Sequence, residues 1–248
     1  MDWTQHYDET SNTLSVPWNY NDKLKNLPSD TKILIFSENK SNSMFSKFNQ
    51  PIMSLPSAIT YIEFGYDFNE LISSVLFSIK VIKFGVSYNQ PIRQDLLPPN
   101  LTHLTFGYKF NQQIDSLPDS LEFLELGYDF NKPIKKLPKS LIELKFYRYS
   151  GFNELFDISS SSLSILTFGF SFNQKIDSLP TSITHLTLGS RFDKPVENLP
   201  PNLLFLSIAG QWFSQPMTNL PYTLRVLEIS EKYDNLLKVP FGCEVIYK

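Results

Sequence analysis

Residues Phe110-Asn111-Gln112-Gln113-Ile114-Asp115-Ser116-Leu117-Pro118 are followed, 20 positions on, by Phe130-Asn131-Lys132-Pro133-Ile134, and the same phrase returns along nearly the whole chain. Its aromatic anchor falls at Tyr20, Phe48, Phe68, Tyr88, Phe110, Phe130, Phe152, Phe172, Phe192, Phe213 and Tyr233. After Phe48 the steps are 20, 20, 22, 20, 22, 20, 20, 21 and 20 residues. A fixed period in this range marks one structural unit stacked many times rather than one irregular globule. The functional question becomes which face of the stack meets a partner.

Three apolar columns follow each anchor. They begin at Ile59, Ile62 and Phe64 and continue in register to Leu224, Leu227 and Ile229. The second and third columns are two residues apart, which is strand spacing, so both point to one side of a short strand. Equivalent strands then stack in parallel, roughly 4.8 Å apart. No repeat can bury these side chains alone, but its neighbours can.

Proline shows where strands cannot be. Pro28, Pro56, Pro98, Pro118, Pro138, Pro180, Pro200, Pro221 and Pro240 follow a Leu or Val just before the strand, and Pro51, Pro91, Pro133, Pro195 and Pro216 sit three after the anchor. Proline gives no N–H to a ladder and holds its predecessor extended. These segments are predicted to run extended or turn-like along the back, leaving little room for α-helix. Gly65, Gly85, Gly107, Gly127, Gly169 and Gly189 form one column, where a close backbone approach is expected. The Asn beside the anchor, at Asn49, Asn69, Asn89, Asn111, Asn131, Asn153 and Asn173, is expected to be buried in a turn, its amide forming a ladder up the stack. The reading is a β-rich, leucine-rich-repeat-like solenoid, with one parallel sheet of short strands on the concave face and extended or turn segments on the back.

The phrases at Phe110–Pro118 and Phe130–Ile134 resemble FNIP repeats, a family related to leucine-rich repeats and abundant in social amoebae and amoeba-infecting giant viruses. The resemblance runs over roughly residues 20–248. It implies a curved solenoid with a role in protein interaction, often behind an F-box that connects it to a ubiquitin ligase. Only about 19 residues precede the first unit here, too few for an F-box helical bundle.

The organisation read from this is an N-terminal cap over residues 1–19, an array over 20–232 and a C-terminal capping unit over 233–248. Trp3 and Trp18 are available to cover the first repeat, and Cys243-Glu244-Val245-Ile246-Tyr247 reads as a final strand, with Cys243 a small buried hydrophobe. The first unit is 28 residues long, with a polar insertion at Ser37–Ser43. Insertions in stacked repeats map to loops on one face, either a binding loop or a solvated one. The units at Phe68 and Phe152 lack the Leu-Pro pair, and Tyr147-Arg148-Tyr149-Ser150-Gly151 replaces the usual glycine turn, departures that read as drift in a tolerant repeat or as local distortions that create a specific patch.

Composition narrows the partners. The net charge of −3 is spread along the chain, so no basic field points to nucleic acid. No apolar run is long enough to span a membrane. The start lacks the pattern of a signal peptide, and Cys243 is the only cysteine. These features favour an intracellular, cytoplasmic protein, or a host-cytoplasmic or virion protein if the source is viral. No phosphate loop, nucleophile elbow or zinc pattern is present. His103 and His185 share one column but lie four repeats apart, roughly 19 Å at strand spacing, so they cannot share a metal. No enzyme, cofactor or metal is expected.

The column before the second inner row contains Tyr61, Val81, His103, Phe123, Ile165, His185 and Phe205, interrupted by Glu143. The next outward column is polar, with Glu63 facing Lys83 and Glu125 facing Lys145. An apolar strip bordered by polar residues suits a protein partner. It equally suits packing between adjacent strands. Partner binding through this strip is the first expectation, with Tyr66, Tyr108, Tyr128 and Phe170, just after the glycine column, adding to one rim. Self-association of a structural component through its ends or sides is the alternative.

Overall fold

The computed structural model describes residues 1–38, 43–72, 77–93, 96–158, 162–208 and 210–248. The Ser37–Ser43 insertion falls largely outside the described residues, as do parts of the variant turns after Phe68 and Phe152. The chain divides into two compact units, Met1–Leu121 and Glu122–Lys248.

In the first unit a 3-10 turn at Thr4–His6 leads into β1 (Tyr7–Asp8), β2 (Thr13–Val16), β3 (Ile33–Phe36), β4 (Tyr61–Glu63), β5 (Val81–Lys83) and β6 (His103–Thr105). β1 pairs antiparallel with β2, and from β2 onward each strand lies parallel to the next. The second unit holds β7 (Phe123–Leu126), β8 (Glu143–Phe146), β9 (Ile165–Thr167), β10 (His185–Thr187), β11 (Phe205–Ile208), β12 (Val226–Ile229) and β13 (Glu244–Tyr247), all parallel in chain order. Among the described residues there is no α-helix. This is a leucine-rich-repeat-like β-solenoid.

Register follows the repeat. Leu34 pairs with Ile62 and Ile62 with Ile82 in one unit, and Leu124 with Leu144 and Leu144 with Leu166 in the other. The inner rows are buried. Where the Leu-Pro pair is present, the strand is entered through a tight turn set by its proline: the Pro56 carbonyl accepts the N–H of Ile59, and Pro138 and Pro200 do the same for Leu141 and Leu203. The prolines thus act as acceptors at the one place where no N–H is asked of them.

Two ring ladders fill the space behind the sheet. Phe48 stacks on Phe68 at 6.1 Å and Phe68 on Tyr88 at 6.1 Å, while Phe64 and Phe84 stack at 5.4 Å in the third inner row. The two rows touch within each turn, with Phe84 and Tyr88 3.7 Å apart at their centroids. In the second unit Phe152, Phe172 and Phe192 repeat the outer ladder at 6.2 Å. The glycine column permits the close spacing: a Cβ on Gly85 would overlap the carbonyl of Gly65, and one on Gly107 that of Gly85.

Two expectations need correction. The anchor Asn residues are half-buried or exposed, as at Asn69 and Asn131, rather than buried. Their ladder to the next backbone N–H runs through Oδ1, as from Asn131 to Asn153, which does not require the whole amide to leave the surface. Cys243 is half-buried in the turn before β13, its Sγ 3.6 Å from the Glu244 carbonyl, and partial burial pushes its thiol pKa up.

Residues 1–19 supply β1 and β2. Leu14 and Val16 are fully buried and continue the inner rows against Leu34 and Phe36. Trp3 is buried edge-on to Tyr20, its Nε1 donating to the Lys25 carbonyl at 2.8 Å. Trp18 is half-buried beneath Lys47.

Candidate interaction face

Side chains alternate along a strand, so burial of the inner rows turns the residues between them outward. In the first unit the outward row pairs Ile33 with Tyr61, Tyr61 with Val81 and Val81 with His103. In the second it runs from Phe123 through Glu143, Ile165, His185 and Phe205 to Val226. Tyr61, Val81, Phe123, Ile165 and Phe205 are half-buried, and His103 and His185 are exposed. Half-burial fits their position, because each side chain leans on its neighbour across the ladder and leaves its outer edge in solvent.

The first unit's row is tied into the polar column beside it. Tyr61 Oη donates to Glu63 Oε2 at 2.5 Å, and Lys83 Nζ sits 3.7 Å from Glu63 and 5.5 Å from the Tyr61 ring centroid. Burial, and then the Glu63 carboxylate, push the Tyr61 phenol pKa up, while the hydrogen bond with Tyr61 holds Lys83 above its ordinary value. In the second unit Glu125 meets Lys145 at 3.0 Å and His185 stacks on Phe205 at 5.9 Å. Glu228 accepts from Ser207 Oγ at 2.8 Å and pairs with Lys248. Burial pushes the Glu228 carboxyl pKa up, but Lys248 and Ser207 outweigh it and the net shift is downward. These exposed or part-exposed pairs order the face more than they stabilise it, at well under about 1 kcal/mol each.

Sequence reasoning missed Ile33. Its strand, Ile33-Leu34-Ile35-Phe36, carries the alternation, but the 28-residue first step hid its register. It also passed over Trp212 and Arg191, and read Arg148 only as part of a variant turn. Among the described residues no cluster of three or more His, Cys, Asp or Glu could hold a metal ion. Among them, too, no helix is long and apolar enough to cross a membrane.

The model of the FNIP repeat matches residues 48–76, 77–109, 110–149, 152–191 and 172–211, most of the chain. The chain belongs to the FNIP-repeat family. The FNIP phrase thereby acquires a physical meaning: its Phe is the ring ladder, its Asn the backbone acceptor, and its Ile an inward side chain such as Ile114 or Ile176. No curated protein matches this FNIP chain. Among solved structures it is similar to CroV588, a giant-virus protein whose crystal structure is described as a novel circular LRR protein structure. The likeness has a TM-score of 0.52 and 25% identity, over 95% of this chain and 46% of CroV588. The FNIP chain thus spans about half the length of that protein.

Proposed function

We propose that the chain is a non-enzymatic interaction scaffold that binds a protein partner through its outward strand row. The observation that carries this reading is the row in the second unit. Phe123, Ile165 and Phe205 hold apolar side chains half open to solvent, and the next outward positions on the first two strands are the half-buried polar residues Glu125 and Thr167. An apolar strip with a polar border is the usual anatomy of a protein-binding patch. Family and fold agree with such a role, since stacked repeats present extended surfaces for recognition. The test is Phe123→Arg with Phe205→Arg. The double variant should fold as the wild type does and lose its partner. Partner binding unchanged by both substitutions would sink the reading.

A second reading is self-association. Leu236, Phe241 and Tyr247 are exposed apolar side chains around β13, a patch that a second copy of the chain would cover. Light scattering decides it: oligomers that grow with concentration support it, and a strict monomer removes it.

A further inference from the structure

Beside its strand row, the Glu122–Lys248 unit carries a rim of aromatic and cationic side chains on the turns that follow the strands. Tyr147, Tyr149 and Trp212 are 41%, 52% and 50% exposed. The Tyr147 ring meets Tyr128 edge-on at 6.5 Å and Tyr149 at 6.2 Å. The Arg148 guanidinium lies 5.2 Å over Tyr149, and that of Arg191 lies 5.1 Å over Phe170. Phe170 in turn meets Trp212 edge-on at 6.1 Å. Backbone bonds hold successive turns together here, from Phe170 N–H to the Arg148 carbonyl and from Arg191 N–H to the Phe170 carbonyl. Trp212 and Phe170 also wall a cleft of about 340 Å³ with Ser190, Gln211 and Lys232.

A contiguous group of Tyr, Trp and Arg has the composition of binding hot spots. A guanidinium stacked on a ring is held in place by its face, while its edge still presents a donor fork to a carboxylate. Charge chooses the ligand. Arg148, Arg191 and Lys232 are exposed, whereas Lys248 is already paired with Glu228. Asp129 and Glu231 lie on the same series of turns, so cations exceed carboxylates only modestly. That balance suits carboxylates better than a phosphate backbone. A single-stranded nucleic acid would also need open ring faces, and guanidinium groups of the chain itself lie over Tyr149 and Phe170.

Geometry sets the spacing. Arg148 and Arg191 stand two turns apart, about 10 Å at strand spacing, and an extended segment in the polyproline-II conformation, at about 3.1 Å per residue and three residues per turn, covers that distance in three residues with both side chains on one side. We propose that this rim binds an extended acidic protein segment with two carboxylates about three residues apart, one for each arginine, and an apolar side chain against Trp212. The proposal rests on the scaffold reading above but places this contact beside the strand row.

The experiment is selection of a random peptide display library on the immobilised full chain, then calorimetry with the enriched peptide. Its arms are that peptide, the same peptide with Asp and Glu changed to Asn and Gln, and oligouridine. The variants are Arg148→Gln, Arg191→Gln, Arg148→Lys and Trp212→Ser, with Lys175→Gln as an exposed control and melting curves as the check on folding. Enriched sequences should carry the paired acids. Binding should weaken by at least about tenfold with either Gln variant, with Trp212→Ser and with the neutralised peptide. Arg148→Lys should also weaken it, because lysine has no fork. Lys175→Gln and Phe123→Arg/Phe205→Arg should bind normally. The proposal is overturned by no enrichment, by enrichment without paired acids, by binding indifferent to both arginines, or by tighter binding of oligouridine. Peptide binding lost only in the Phe123→Arg/Phe205→Arg variant would assign the contact to the strand row and remove the rim.

Discussion

Asn173 Oδ1 accepts the backbone N–H of Asp193 at 3.0 Å, and Asp193 Oδ1 accepts the backbone N–H of Ser214 at 2.9 Å. The same bond joins Asn49 to Asn69 and Asn69 to Asn89, each at 2.8 Å. The ladder asks one thing of the side chain, an acceptor of the right length aimed one turn ahead. That is why aspartate can stand in the asparagine column.

Asn173→Ala should therefore leave the Asp193 N–H without its partner and cost about 1–2 kcal/mol. Asn173→Asp keeps the acceptor and should cost less. Urea unfolding of the two variants checks this, and equal losses would mean that the ladder bond contributes nothing.

Asp193 adds a pH dependence. Burial pushes its carboxyl pKa up, but donation from Ser214 N–H, Gln215 Nε2 and Ser214 Oγ outweighs that and lowers it overall. A lowered folded pKa gives stability that is present above the unfolded carboxyl value, about 3.9, and lost as pH falls through the folded value. Asp193→Asn removes this titration. The melting-temperature advantage of wild type over Asp193→Asn should be constant near neutral pH and shrink below about pH 4. An advantage that persists or grows in acid contradicts the assignment.

The inner rows should respond as a core does. Leu124 is fully buried between turns, and Leu124→Ala should cost about 2–5 kcal/mol. An unchanged melting temperature would refute its inward placement.

Much of this was legible in the sequence because the repeat repeats its errors as well as its rules. One turn such as Phe110–Phe130 predicts inner rows, proline turns and the glycine approach for the rest. The close spacing that stacks Phe84 on Tyr88 within one turn was not readable, because it depends on how far the chain folds back between strand and anchor. Ile33 was hidden by an irregular first step. The rim was legible in part, through Tyr128, Phe170 and the Tyr147–Gly151 variant turn, but Trp212 and Arg191 were not: Trp212 falls where the period moves from 20 to 21 residues, so a column drawn at fixed spacing passes it by. Surface exposure, unlike inner-row identity, is not constrained from turn to turn. Asn131 shows this, being read as buried and found exposed.

The central claim is that the outward strand row recognises a protein. Its most direct test is capture by the full chain from lysate of the native cellular context, comparing wild type with Phe123→Arg/Phe205→Arg after circular dichroism and melting have shown equal folding. A specific protein held by the wild type and lost from the double variant is the predicted result. A specific partner that the double variant retains, or no specific partner for either, contradicts the account.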